Sequence, residues 1–150
     1  MSEVRFYHLE RQTLDQVLPS LLGKALQNGH RILVKAANDQ TAEHLNTHLW
    51  TYDPNSFIPH GSAKDGNETD QPVFLSTSAE SPNDADVLIL TQETEAPKID
   101  DQFKLICDMI DGRNEQAVAA ARTRWKAYKD AGHDVTYWQQ SPQGKWEKKD

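Results

Sequence analysis

Apolar residues along this chain change period several times, and each change marks an element. Val4 to Leu9 is β-branched and aromatic and predicts a first strand. From Thr13 to Gln27, Leu14, Val17, Leu18, Leu21, Leu22 and Ala25 recur at the spacing of one helical face, and Asn28-Gly29 supplies the stop. Pro19 lies inside that pattern and predicts a late helix start or a kink, because its ring removes one i to i−4 hydrogen bond. Arg31 to Ala36 contains Ile-Leu-Val and is too short for a helix, so it reads as a buried strand. Asn38 or Asp39 can cap a helix over Gln40 to Trp50, with Ala42, Leu45 and Leu49 on its inward face. Strand and helix alternating in this way predict an α/β fold.

Residues 51–71 have no periodicity and many Pro, Gly, Asn and Asp, which predicts a long loop of the kind that often serves recognition. Val73 to Ser76 and the wholly apolar Val87 to Leu90 read as strands, with turn chemistry at Ser81-Pro82-Asn83-Asp84. Phe103 to Ile110 predicts another strand, ended by Asp111-Gly112. Asn114 caps a last helix that stops at Gly132, and His133 to Gln139 is expected to close the sheet. These elements form one domain over residues 1–138; residues 139–150 are expected to be a polar, basic, loosely held tail.

Composition narrows the functional classes. The chain has 150 residues, enough for one core without staples, and a formal net charge of −7, which argues against coating bulk nucleic acid. The charge is uneven: ten acids stand against one base between Asp65 and Asp101, but eight bases against four acids between Arg113 and Lys149. That asymmetry allows a local anion-binding face on an acidic molecule. A single cysteine, Cys107, excludes an internal disulfide framework and fits a reducing compartment. With no apolar run long enough to span a bilayer, a soluble cytoplasmic protein is expected and no membrane partner is implied.

Catalytic chemistry finds little support. The spacing Gly61 to Gly66 is followed by Asn67, not Lys-Ser/Thr, and lies within the loop, so no phosphate-binding turn and no cofactor are implied. His44 and His48 are one helical turn apart, but no third ligand is indicated, and they read as surface histidines. Cys107 lies in an apolar strand with no activating base. The last helix is more informative. Val118, Ala121, Trp125 and Tyr128 form an apolar stripe, and Arg122, Lys126 and Lys129 place three cations beside Trp125. Such a face is either a helix whose bases complement its dipole or a site where cations hold carboxylates or phosphates beside an aromatic anchor. The second cluster, Leu49-Trp50 through Phe57 to His60, either pins the loop or offers Trp50 and Phe57 to a partner.

Four stretches carry a family resemblance: Phe6-Tyr7-His8-Leu9, Gly29 to Val34, Leu49-Trp50 to Ser56-Phe57-Ile58-Pro59-His60, and Ala121-Arg122-Thr123-Arg124-Trp125-Lys126-Ala127-Tyr128-Lys129 followed by Ala131-Gly132. Together they resemble the chi subunit of bacterial DNA polymerase III. The resemblance implies a three-layer α/β/α sandwich around a largely parallel or mixed sheet, Rossmann-like without a phosphate-binding loop. It also implies a non-catalytic accessory protein of the clamp-loader assembly in DNA replication. That family grips the acidic C-terminal tail of single-stranded-DNA-binding protein, which ends in Pro-Phe; by motif position Arg122, Trp125 and Lys126 would bind it, with Lys129 on the same face. A separate surface of the family binds the psi subunit, and by the same resemblance Leu49, Trp50 and Phe57 lie in that block; a helicase is a second candidate there. Two other classes stand against this reading: direct single-stranded nucleic-acid binding through the basic last helix, and an enzyme using a nucleotide.

Overall fold

Among the described residues, eight strands and three helices follow one another as β1 (Glu3–Leu9), α1 (Leu14–Gln27), β2 (Ile32–Lys35), α2 (Asp39–Thr51), β3 (Gly61–Ser62), β4 (Val73–Ser76), β5 (Val87–Leu90), β6 (Leu105–Asp111), α3 (Glu115–Asp130), β7 (Asp134–Gln140) and β8 (Trp146–Lys149). They come from a computed structural model that describes residues 3–9, 14–36, 38–51, 60–62, 72–77, 84–91, 103–142 and 145–149. The strands form one sheet in the order β3-β4-β2-β5-β6-β1-β7-β8. All neighbours are parallel except β7 and β8, which are antiparallel. The α/β class is therefore as expected, and the central strands are apolar on both sides because both faces are covered: β5 is buried along its whole length.

Two cores lie on opposite faces. One joins Leu14, Val17, Leu18 and Leu22 of α1 and Leu45 and Leu49 of α2 to Tyr7, Val34, Ile89 and Met109 of the sheet. The other joins Ala121 and Tyr128 of α3 to Val4, Phe6, Leu88, Ile106 and Ile110. Alternation along β1 sends Phe6 and Tyr7 to different cores, and that division gives the three layers.

Local chemistry accounts for the ends. Asn38 caps α2, its side-chain oxygen accepting from the Thr41 N–H at 2.8 Å. α1 and α3 stop alike: Gly29 at φ +80° and Gly132 at φ +89° let the chain turn back. The N–H of His30 then reaches the Ala25 carbonyl, and that of His133 the Tyr128 carbonyl. Asp84 also has positive φ, as its turn chemistry suggests.

Three expectations need correction. Of the two outcomes expected of Pro19, the late start does not occur: α1 begins at Leu14 and runs through the buried Pro19, the one forfeited bond being outweighed by the burial of Leu14, Val17, Leu18 and Leu22. Within the stretch 51–71, expected to be a loop, Thr51 ends α2 and Gly61 and Ser62 form a two-residue strand, β3, that pairs with β4; residues 52–59 and 63–71 lie outside the described residues. β7 does not close the sheet. The chain folds back through Ser141, whose N–H donates to the Lys145 carbonyl at 2.7 Å, and β8 becomes the edge, with Trp146 packed against the core. The polarity of residues 139–150 predicts a loose tail, but one large apolar residue at the right register, Trp146, is enough to dock β8.

Candidate peptide-binding groove on the last helix

α3 is capped by Asn114, whose side-chain oxygen accepts from the N–H groups of Gln116 and Ala117 at 3.0 and 3.2 Å. The apolar stripe of the helix meets the sheet as its spacing predicts. Ala121 and Tyr128 are buried, while Val118 and Trp125 sit at the margin of the same core. Phe6 of β1 is the centre of this packing, its ring centroid 5.5 Å from Trp125 and 5.8 Å from Tyr128. Tyr137 of β7 meets Trp125 edge-on at 6.2 Å.

A groove of about 420 Å³ remains between α3 and the strands, with Val118, Arg122 and Trp125 along the helix side and Phe6, His8 and Tyr137 along the sheet side. His8 Nδ1 and the Tyr137 hydroxyl are hydrogen-bonded to each other in this wall. Arg122 stands exposed at the mouth. Lys129 lays its ammonium over the Trp125 ring, 5.1 Å from the centroid, a cation–π contact that keeps a positive charge beside that ring, although Lys129 does not itself line the groove. Lys126 is exposed on the same helix but is not among the residues lining the groove. Of the four expected residues, Arg122 and Trp125 line the groove, Lys129 reaches it only through its contact with the Trp125 ring, and Lys126 lies outside the lining.

Arg124 belongs elsewhere. Its guanidinium forks onto Asp108 of β6, Nε to Oδ2 at 2.8 Å and Nη2 to Oδ1 at 2.9 Å, so it fastens the helix to the sheet and does not face a ligand. Burial raises the Asp108 carboxyl above its ordinary range, with Arg124 pulling it back. Burial also raises the Tyr128 hydroxyl beside this pair.

Residues His8, Phe6 and Tyr137 escaped the sequence reading of the site. Their signal is the two-residue period of β1 and β7: Phe6 and His8 share a face, and the parallel register sets Phe6 against Tyr137. Knowing that β7 pairs with β1 is what converts that period into a site wall.

The other candidates are placed as follows. Leu49 is 2% exposed and packs in the core beneath α1 and α2, so it supports its segment from below. The side chain of Trp50 and the whole of Phe57 lie outside the described residues. Buried His60 shares a hydrogen bond with the Asn46 carbonyl at 3.2 Å, which ties the end of that segment to α2. His44 and His48 lie with rings nearly parallel, 6.5 Å apart, and no metal-ligating group of three or more appears among the described residues. Burial pushes the Cys107 thiol up to about 12, far from a reactive thiolate at neutral pH. No helix among the described residues is long and apolar enough to cross a membrane.

A family model described as DNA polymerase III chi subunit, HolC, matches residues 1–136. The chain belongs to the DNA polymerase III chi subunit family. A chi subunit is a component of a DNA replication complex, and the match takes in β1 through the whole of α3 and the first three residues of β7, stopping just short of Tyr137 in the groove wall. Curated relatives agree. The chain is 29% identical over 99 residues to the probable DNA polymerase III subunit chi of Rickettsia prowazekii, covering 66% of this chain and 60% of that protein. It is 22% identical over 142 residues to the chi subunit of Escherichia coli, covering 90% and 96%, and 28% identical over 121 residues to that of Pseudomonas aeruginosa, covering 80% and 82%.

Proposed function

We propose that this chain is a non-catalytic, cytoplasmic accessory subunit that uses the α3 groove to hold the acidic C-terminal tail of single-stranded-DNA-binding protein. The observation that carries the reading is that Arg122 and Trp125 line one partly apolar groove while Lys129 holds its ammonium against the Trp125 ring. Its volume of about 420 Å³ falls within the ~300–1,000 Å³ range of pockets that bury a small ligand, and it is ample for one phenylalanine side chain. Cations at the mouth attract the tail's carboxylates, the guanidinium of Arg122 offers a paired hydrogen bond to a terminal carboxylate, and Lys126 extends the positive rim. The concentration of acids in residues 65–101 leaves α3 as the basic part of an acidic molecule, which favours an acidic protein tail over bulk DNA.

A second surface, around Trp50 and Phe57 with Leu49 as its buried support, links the chain to the clamp loader through psi. The subunit would thereby join DNA coated by the binding protein to the polymerase assembly.

The groove is tested by fluorescence anisotropy with a short acidic peptide ending in Pro-Phe. Binding should weaken with salt, and Arg122→Glu should reduce affinity by about tenfold or more, the loss of a charge-assisted pair worth ~1.5–3 kcal/mol. A peptide lacking the terminal phenylalanine should bind poorly. Wild-type affinity in Arg122→Glu would remove the site from α3.

A further inference from the structure

The opposite face of the same strands carries a larger cleft, of about 780 Å³, between α1 and the β1–β7–β8 corner of the sheet. Strand register explains what lines it. Tyr7 stands against Trp138, Trp138 against Lys148, and Gln140 against Trp146. Paired residues project to the same side, so Tyr7, Trp138, Trp146 and Lys148 share the α1 face while Phe6 and Tyr137 share the α3 face. Tyr7 meets Trp146 edge-on at 4.9 Å and lies nearly parallel to Trp138 at 6.5 Å. Both tryptophans are partly exposed and line the cleft.

Around these rings the charge is positive. The Arg5 guanidinium is 5.6 Å from the Trp138 centroid, Lys24 comes from the last turn of α1, and Lys145 precedes β8. Exposed Lys148 adds a fourth cation by register. Among the described residues no Asp or Glu lines the cleft; two carboxylates stand at its edge, Glu3 paired with Arg5 and Asp86 paired with His30. Trp138, Lys145, Trp146 and Lys148 all lie beyond residues 1–136, so the family match does not account for them.

We propose that this cleft binds a short stretch of single-stranded nucleic acid, with bases stacking on Trp138 and Trp146 and phosphates neutralised by Arg5, Lys24, Lys145 and Lys148. Rings beside cations without carboxylates are the composition of such platforms, because every base offers a π-face and every nucleotide a negative charge. An acidic peptide would satisfy the cations but has no run of rings to match several aromatic faces. The cation–phosphate contacts make the binding salt-sensitive, and the net charge of −7 keeps it local to the cleft. The α3 groove plays no part in it.

Anisotropy of a labelled oligothymidylate of about twelve nucleotides, within the roughly 4–16 nucleotide span of stacking platforms, tests the proposal on the full chain. Saturable binding at low salt should be accompanied by quenching of tryptophan fluorescence and should fall steeply as salt is added. Trp146→Ala should weaken it by about fivefold or more. Lys148→Glu, a change at an exposed position, should weaken it without affecting folding. Absence of saturable binding at low salt, equal binding by both variants, or equal binding of blunt duplex would overturn the proposal. So would loss on Arg122→Glu with retention on Lys148→Glu, which would move the site to α3. An acidic phenylalanine-ended peptide that binds the cleft in place of the oligonucleotide would assign it to a protein partner and overturn it as well.

Discussion

At the scale of single residues, the side chains that hold the structure differ in kind from those that face its ligands. Arg124 and Arg122 sit two positions apart on α3, yet one is forked onto buried Asp108 and the other stands in solvent. Removing one member of a buried pair strands the other, so Arg124→Ala should cost about 3 kcal/mol in urea unfolding, the low end of the range because Arg124 keeps some exposure. Replacing both by apolar residues of similar size should recover much of that loss. Asp86 gives a pH signature. Burial tends to raise its carboxyl, but the His30 ring at 2.6 Å and the Arg31 N–H at 2.9 Å outweigh that and hold it below the usual carboxylate range. A lowered carboxyl stabilises the fold above its unfolded value of ~3.9 and loses that contribution as acid protonates it. The urea midpoint should therefore drop between about pH 5 and pH 3, and Asp86→Asn should flatten that limb. Whether an arginine turns inward was not legible in the sequence, because the choice between Arg122 and Arg124 depends on where Asp108 sits across the layer.

Elements were easier to read than residues. β5 and β2 announce themselves as unbroken apolar runs, and α3 declares its start at Asn114 and its stop at Gly132, because caps are local chemistry. β3 and β8 were missed for the same reason in reverse: a strand of two residues has no period, and WEKK shows only one apolar position. Their existence depends on a partner strand with free backbone groups. Asn114→Ala should lower stability by ~1 kcal/mol by leaving the Gln116 and Ala117 N–H groups without their acceptor. Gly112→Ala is a sharper test of how α3's groove is held. A Cβ at that turn would run into the His8 ring, which is bonded to Tyr137 in the groove wall. The substitution should weaken binding of the acidic peptide by more than its effect on the urea midpoint explains, because the displaced ring reshapes the wall.

Across the whole molecule, the sheet extends past the residues the family match covers. The match ends at 136, while pairing continues to Lys149 through β8. Truncation after Ser141 should cost roughly 1–2 kcal/mol, the worth of one half-buried large side chain, and should shift tryptophan emission to the red as Trp138 loses its β8 partner strand. Differential scanning fluorimetry and emission spectra would show both; unchanged spectra would mean β8 contributes nothing to the core. The α/β class and the basic aromatic face of α3 were legible from periodicity alone. The groove's sheet-side wall was not, since it required knowing that β7, last but one in the chain, lies beside β1.

That adjacency makes β7 vulnerable in an unusual way. Tyr137 and Trp138 are consecutive, joined by one peptide bond, and they look into opposite hollows. Loss of a single residue between Gly132 and Val135 would turn the strand over like a page, putting Trp138 in the place of Tyr137 and Gln139 in the place of Trp138. Neither hollow could then be altered by insertion or deletion without spoiling the other. Point substitutions are free to tune each side separately, but the reading frame of β7 is held in common by both.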